Sequence, residues 1–90
     1  MPLFLIERSF ADALDLSADD VLAVTRINSD AGVHWLHSFL SADKRKSYCL
    51  YEAESAEAIR EAARRANLPA DVVIAVSEVR PELIAPSLAA

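Results

Sequence analysis

Both histidines, the only cysteine, the only tryptophan and both tyrosines of this chain fall in one short segment. It reads Val33-His34-Trp35-Leu36-His37-Ser38-Phe39-Leu40, then a polar turn, then Ser47-Tyr48-Cys49-Leu50-Tyr51-Glu52. Imidazole suits nickel, copper and zinc, thiolate is a soft ligand and carboxylate a hard one. His34, His37, Cys49 and Glu52 are therefore the candidate metal ligands. A hairpin turning about Asp43 would set His37 opposite Cys49 and His34 opposite Glu52, with paired Cβ atoms about 4.5–5.5 Å apart. Each pair would offer two ligands to one divalent ion. Two are too few for a tight site, so a third must come from Glu7, Glu78, a tyrosine or a second subunit. A slip of one residue would change every partner.

The same side chains also have purely structural uses. Cys49 between Tyr48 and Leu50 reads as a small buried apolar residue. The histidines can serve as hydrogen-bonded structural groups. Trp35, Tyr48 and Tyr51 suit a core, a dimer interface or, together with Glu7, a pocket wall. Glu7 and Arg8 close the first apolar run, where they would orient a ligand or form an edge salt bridge. No Ser-His-Asp or Cys-His-Asn arrangement emerges. Cys49 with His37 would make a nucleophile and base only if the thiol were accessible and its pKa lowered. The single glycine excludes a Gly-rich phosphate loop, and the single cysteine excludes both an internal disulfide and a Cys-x-x-Cys zinc knuckle.

These residues need elements to position them. Pro2 to Phe10 reads as a strand, and its run Leu3-Phe4-Leu5-Ile6 is apolar on both faces. Ser17 is placed to cap a helix ending near Asp30, with Asp20 reaching back as in a capping box. Val21, Val24, Thr25 and Asn28 follow one stripe of that helix. Gly32 releases the chain into the hairpin, whose turn chemistry is Ser41-Ala42-Asp43-Lys44. Ser55 caps a second helix with a thin stripe of Ile59, Ala62, Ala63 and Ala66. Glu57 with Arg60, and Glu61 with Arg64 and Arg65, are surface neighbours worth about 0.2–0.5 kcal/mol each. Asn67-Leu68-Pro69 ends the helix, and Val72 to Val79 reads as the last strand.

The order β-α-β-β-α-β is the ferredoxin-like α+β plan, with a four-stranded antiparallel sheet and both helices on one face. Apolar residues occupy both parities of the strands, so the second face needs cover. A second copy of the sheet supplies it economically, which gives a homodimer joined through sheet faces as a dimeric α/β barrel. The domain spans residues 1–81, followed by an apolar tail at 82–90 that carries Pro86.

A net charge of −5 and a hydrophobic fraction of 53% describe an acidic, folded domain. Nucleic-acid binders carry a basic surplus on one face. Here the one basic run, Lys44-Arg45-Lys46, sits in the turn. No signal peptide or membrane span is evident, because Glu7 and Arg8 interrupt the first apolar run. No nucleic-acid or membrane partner is expected, and the expected setting is cytoplasmic.

At the hairpin and second helix the chain resembles the domain-of-unknown-function 4242 family, small proteins that include a nickel-binding protein. The matching text is Gly32-Val33 with Trp35, then Tyr48-Cys49-Leu50-Tyr51-Glu52-Ala53, Ser55-Ala56-Glu57-Ala58-Ile59 and Leu68-Pro69-Ala70-Asp71. The resemblance implies a ferredoxin-like dimeric α+β barrel and the binding of a transition metal, nickel above all. It also implies ligands this chain lacks, since the nickel-binding members carry one histidine in the first strand and another in the second helix. Here those stretches read Leu5-Ile6-Glu7-Arg8-Ser9-Phe10 and Glu61-Ala62-Ala63-Arg64-Arg65-Ala66. The expected function is a small dimeric binding protein that holds a divalent metal or a small ligand in the barrel. The alternative, by fold analogy alone, is a cofactor-free monooxygenase- or isomerase-like enzyme. That alternative requires a cavity lined by His34 or His37 with Tyr48 and Tyr51.

Overall fold

A computed structural model describes residues 1–85. The order is β1 (Leu3–Ser9), α1 (Ala18–Asp30), β2 (His34–Leu40), β3 (Lys46–Glu52), α2 (Ala56–Ala66), β4 (Val72–Val76) and a single turn of helix, α3 (Pro81–Ile84). The four strands form one antiparallel sheet in the order β2-β3-β1-β4. The two long helices pack against each other, α1 over β2 and α2 over β4. The sheet is open, with β2 and β4 as its edges, so a single chain makes no barrel.

Local chemistry accounts for the element ends. Ser17 accepts from the Asp20 amide at 3.1 Å, and the Asp20 carboxylate accepts from the Ser17 amide at 3.0 Å, a reciprocal capping box. Gly32 follows α1 with φ of +73°, a conformation costly for a residue with a Cβ, and the Val33 amide then turns back onto the Asn28 carbonyl. Asn67 ends α2 in the left-handed conformation, and the Leu68 amide bonds the Ala63 carbonyl at 2.9 Å.

The core lies between the sheet and the helices. Phe4 and Ile6 of β1, Cys49 and Tyr51 of β3, Val33, Ala53, Ile59 and Ala62 are its buried members. Ile6 is wholly buried, so truncating it to Ala would cost about 2–5 kcal/mol. The alanines of α2 let that helix sit close to the sheet, as its thin stripe implies. On α1, Asn28 is buried and Val21 and Val24 are half-buried, but Thr25 is exposed. That stripe is narrower than expected because α1 lies at the β2 edge of the sheet.

β4 is shorter than expected. Val76 pairs with Leu3, the first residue of β1; Pro2 before it has no N–H to donate, and its carbonyl accepts from the Ala53 amide. Val79 is exposed, outside any strand. The expected tail begins with the exposed turn α3, and its residues 86–90 lie outside the described residues.

Candidate functional site

Strand parity assigns each candidate residue to a face. Phe4, Ile6 and Arg8 of β1 pair with Tyr51, Cys49 and Ser47 of β3, and these six are buried on the helix side. Leu3, Leu5 and Glu7 pair with Glu52, Leu50 and Tyr48 on the open side. β2 would follow the same alternation but for one irregularity. Trp35 pairs with Tyr51 and His37 pairs with Leu50, so Leu36 is an extra residue, a β-bulge.

The turn register and the bulge together decide the fate of the metal candidates. His34 lies opposite Glu52, as expected, but not because the hairpin turns about Asp43: Leu40 pairs with Ser47 and Phe39 with Tyr48, one residue off that register, and the bulge at Leu36 cancels the slip. His37 does not lie opposite Cys49; its partner is Leu50, and Ser38 faces Cys49 instead. In a regular strand, residues 34 and 37 point to opposite faces. The turn register sets His37 on the open face, the extra residue brings His34 to the same face, and Cys49 is left alone on the other. The four candidates are therefore split by the sheet, with His34, His37 and Glu52 on one side and Cys49 on the other. The His37 ring packs edge-on against Phe39, with centroids 5.6 Å apart, in the row beyond Leu50 from Glu52. Among the described residues no three His, Cys, Asp or Glu side chains converge as a metal site. The one directly opposed pair among the four candidates is His34 with Glu52.

The same division removes the Cys49–His37 nucleophile and base, since those side chains face opposite sides of the sheet. Cys49 is 6% exposed, and its thiol is directed to the Ser47 hydroxyl at 3.7 Å.

The proposed pocket walls are divided as well. Glu7 and Tyr48 are on the open face, where Glu7 forms an ion pair with Lys46. The Glu7 carboxylate holds the Lys46 ammonium above its ordinary pKa. Trp35 and Tyr51 are on the helix face, stacked with ring centroids 6.5 Å apart and 10° between planes. Glu7 and Arg8 do not act together at the strand end, because alternation sends Arg8 inward.

Trp35, Tyr51 and Arg8 line a cavity of about 120 Å³ between the sheet, α1 and the loop before it. Its other walls include Phe10, Leu14, Leu16, Val21, Val24, Leu40, Ser47 and Cys49. Ligand pockets commonly run to about 300–1,000 Å³. Neither histidine nor Tyr48 reaches this cavity, so the wall set required for the enzyme reading is not assembled around it. The Trp35 indole donates to Ser38 Oγ at 2.7 Å, and behind the cavity wall the Asn28 amide donates to the Tyr51 hydroxyl at 3.3 Å. Burial pushes the Tyr51 hydroxyl pKa up, against the pull of the nearby Arg8 charge and the Asn28 bond.

Arg8 is the residue whose setting is unusual. It is 4% exposed, donates Nη1 to the Pro69 carbonyl and stands 6.0 Å from the Tyr51 ring centre. Sequence reasoning placed it at a strand end rather than in a cavity. The signal was available, since Arg8 shares the parity of Phe4 and Ile6. Ser47 was missed for the opposite reason, because a small hydroxyl beside a turn reads as surface.

The basic run in the hairpin turn is tied down locally. Lys44 takes a positive φ of 61°, Arg45 donates to the Ala11 carbonyl at 2.7 Å, and Lys46 pairs with Glu7. No helix of the described residues is long and apolar enough to cross a membrane.

Comparison with known proteins agrees with this architecture. Residues 4–76 match the family model described as nickel responsive protein SCO4226-like, a family related to the one the sequence resembles. The crystal structure of SCO4226 from Streptomyces coelicolor A3(2) superposes with a TM-score of 0.67 at 22% identity, covering 87% of this chain and 99% of that one. No curated protein matches the sequence.

Proposed function

Because the chain belongs to the nickel-responsive SCO4226-like family, we propose that it is a small transition-metal-binding protein that works as a homodimer, its metal held on the open face of the sheet. The observation that carries this reading is the direct opposition of His34 and Glu52 across β2 and β3. An imidazole and a carboxylate on adjacent strands form half of a nickel or zinc site. One chain supplies only that half. A twofold partner repeats every interface residue, so the same pair from a second copy would complete four ligands.

The open face supports such a partner. Phe39, Ile74 and Val72 are exposed on it, beside half-buried Leu5 and Leu50. Two such faces stacked against each other would form a dimeric α/β barrel, with the apolar rows as its core. A cytoplasmic setting suits a chain whose single cysteine is a free, buried thiol.

The test is calorimetric titration of tag-free protein with nickel, with particle mass measured in parallel. One nickel per two chains is expected, lost in His34→Ala and in Glu52→Gln but kept in Cys49→Ala. Native-like nickel binding by the His34→Ala, Glu52→Gln double variant would overturn the assignment.

A further inference from the structure

We propose that the cavity between the sheet and α1 is a binding site for a small organic monocarboxylate. Its carboxylate would sit on Arg8 and Ser47, and its apolar body among Leu14, Leu16, Val21 and Val24. The proposal stands on the opposite face of the sheet from the metal reading and is independent of it.

The argument begins with an uncompensated charge. Arg8 is nine-tenths buried and more, yet among the described residues no carboxylate lies within ion-pair distance of it. A buried cation is costly unless an anion pairs with it. The Pro69 carbonyl accepts from Nη1 and the Tyr51 ring offers its face, but neither carries a negative charge. A guanidinium has five N–H donors in a planar fork, and the group that matches two of them in parallel is a carboxylate. Among the described residues no fully buried side-chain nitrogen or oxygen lacks a hydrogen-bond partner. Any Arg8 nitrogen without a partner is therefore one that reaches open space, and Arg8 lines the cavity.

A second donor stands beside it. Ser47 pairs directly with Arg8 across β1 and β3, so both side chains project to the same face about 5 Å apart at Cβ. The Ser47 oxygen accepts from the Cys49 thiol, which leaves the serine's own proton free to donate. The remaining walls are largely apolar. One guanidinium neutralises one negative charge, so a phosphate dianion would leave excess charge among leucines and valines. A monocarboxylate would not.

Size sets the apolar body. At about 120 Å³ the space is close to the roughly 150 Å³ cavity that takes benzene. Leu16 and Leu40, 42% and 46% exposed, mark the way in. The loop that carries Leu14 is held to the hairpin turn by the Phe10 amide on the Arg45 carbonyl at 2.8 Å and the Leu14 amide on the Lys44 carbonyl at 2.7 Å.

Benzoate is the probe and benzamide its uncharged control. Trp35 lines the cavity and is the only tryptophan, so its fluorescence reports occupancy directly. The native protein should bind benzoate saturably and gain thermal stability from it, with benzamide at least tenfold weaker. Arg8→Met should weaken benzoate at least tenfold. Should that variant fail to fold, Val24→Phe decides the matter, since it fills the cavity and leaves Arg8 in place; it should lose benzoate while its circular dichroism spectrum stays native. Absence of saturable benzoate binding, equal affinity for benzamide, or unchanged benzoate binding by Val24→Phe would each overturn the proposal.

Discussion

Asn28 of α1 donates its side-chain amide to the Tyr51 hydroxyl of β3 across 3.3 Å, and both residues are buried. This bond ties the helix to the central part of the sheet in a core that is otherwise mostly apolar. Removing one partner strands the other. Asn28→Ala and Tyr51→Phe should each destabilise the protein by about 1–3 kcal/mol in urea unfolding. The double variant should cost clearly less than the sum of the two. Strict additivity would mean that the two groups do not interact.

Tyr51 also makes stability fall at high pH. Its folded pKa is raised, chiefly by burial, above the ordinary value of 10.0. The folded protein therefore keeps its proton where the unfolded chain has lost it. The stabilisation is complete below about pH 10 and is lost as pH rises through the folded value. In a Tyr48→Phe background Tyr51 is the sole tyrosine, so ultraviolet titration should show its ionisation displaced upward, with the melting temperature falling over the same range.

Glu61 behaves in the opposite sense. Its bonds to Arg64 and Arg65 on the surface of α2 hold its carboxyl at about 2, below the ordinary 4.5. Its contribution is present above 4.5 and is lost as pH falls through about 2. Carbon NMR of the side-chain carboxyls should find Glu61 among the last to protonate. Glu61→Gln should flatten the acid limb of the stability profile in that window.

Leu36 is the extra residue of the β2 bulge and is 43% exposed. Deleting it leaves every observed β2–β3 pair in register and removes only the irregularity. The deletion variant should fold, keep the Trp35–Tyr51 stack and show stronger amide-exchange protection at the β2 edge. A collapse of spectral dispersion would mean that the bulge is required for the sheet's twist rather than tolerated by it.

Ile74 projects from β4 onto the open face and is 49% exposed. If that face joins two copies, Ile74→Glu buries two charges at the interface and should give a monomer with a native circular dichroism spectrum. Within a single chain the change falls at a largely exposed site and should alter stability by no more than about 0.5 kcal/mol. An unchanged particle mass by light scattering would place any association elsewhere.

Much of this protein is written in local chemistry. Ser17 with Asp20, Gly32, Ser55 and Asn67 set the ends of the helices, because caps and left-handed turns depend on residues within a few positions. The alternation of β1 and β3 and the alanine stripe of α2 set which faces are apolar, and from these the β-α-β-β-α-β order follows. The His34–Glu52 pairing agrees with a turn about Asp43 only because the bulge offsets a one-residue difference at the turn itself. What tertiary structure alone decided was the path of β2. A bulge is a compromise between strand twist and packing, and nothing in Trp35-Leu36-His37 marks which residue will be the extra one. The register at the turn put His37 on the open face, away from Cys49, and the single extra residue brought His34 to that face as well. The end of β4 was likewise decided by its partner, because Pro2 before Leu3 has no N–H and its carbonyl is taken by Ala53. The inward turn of Arg8 lay between these cases. Its parity stood in the sequence, but only the packing of Leu14, Val21 and Val24 over it made a buried charge beside a cavity.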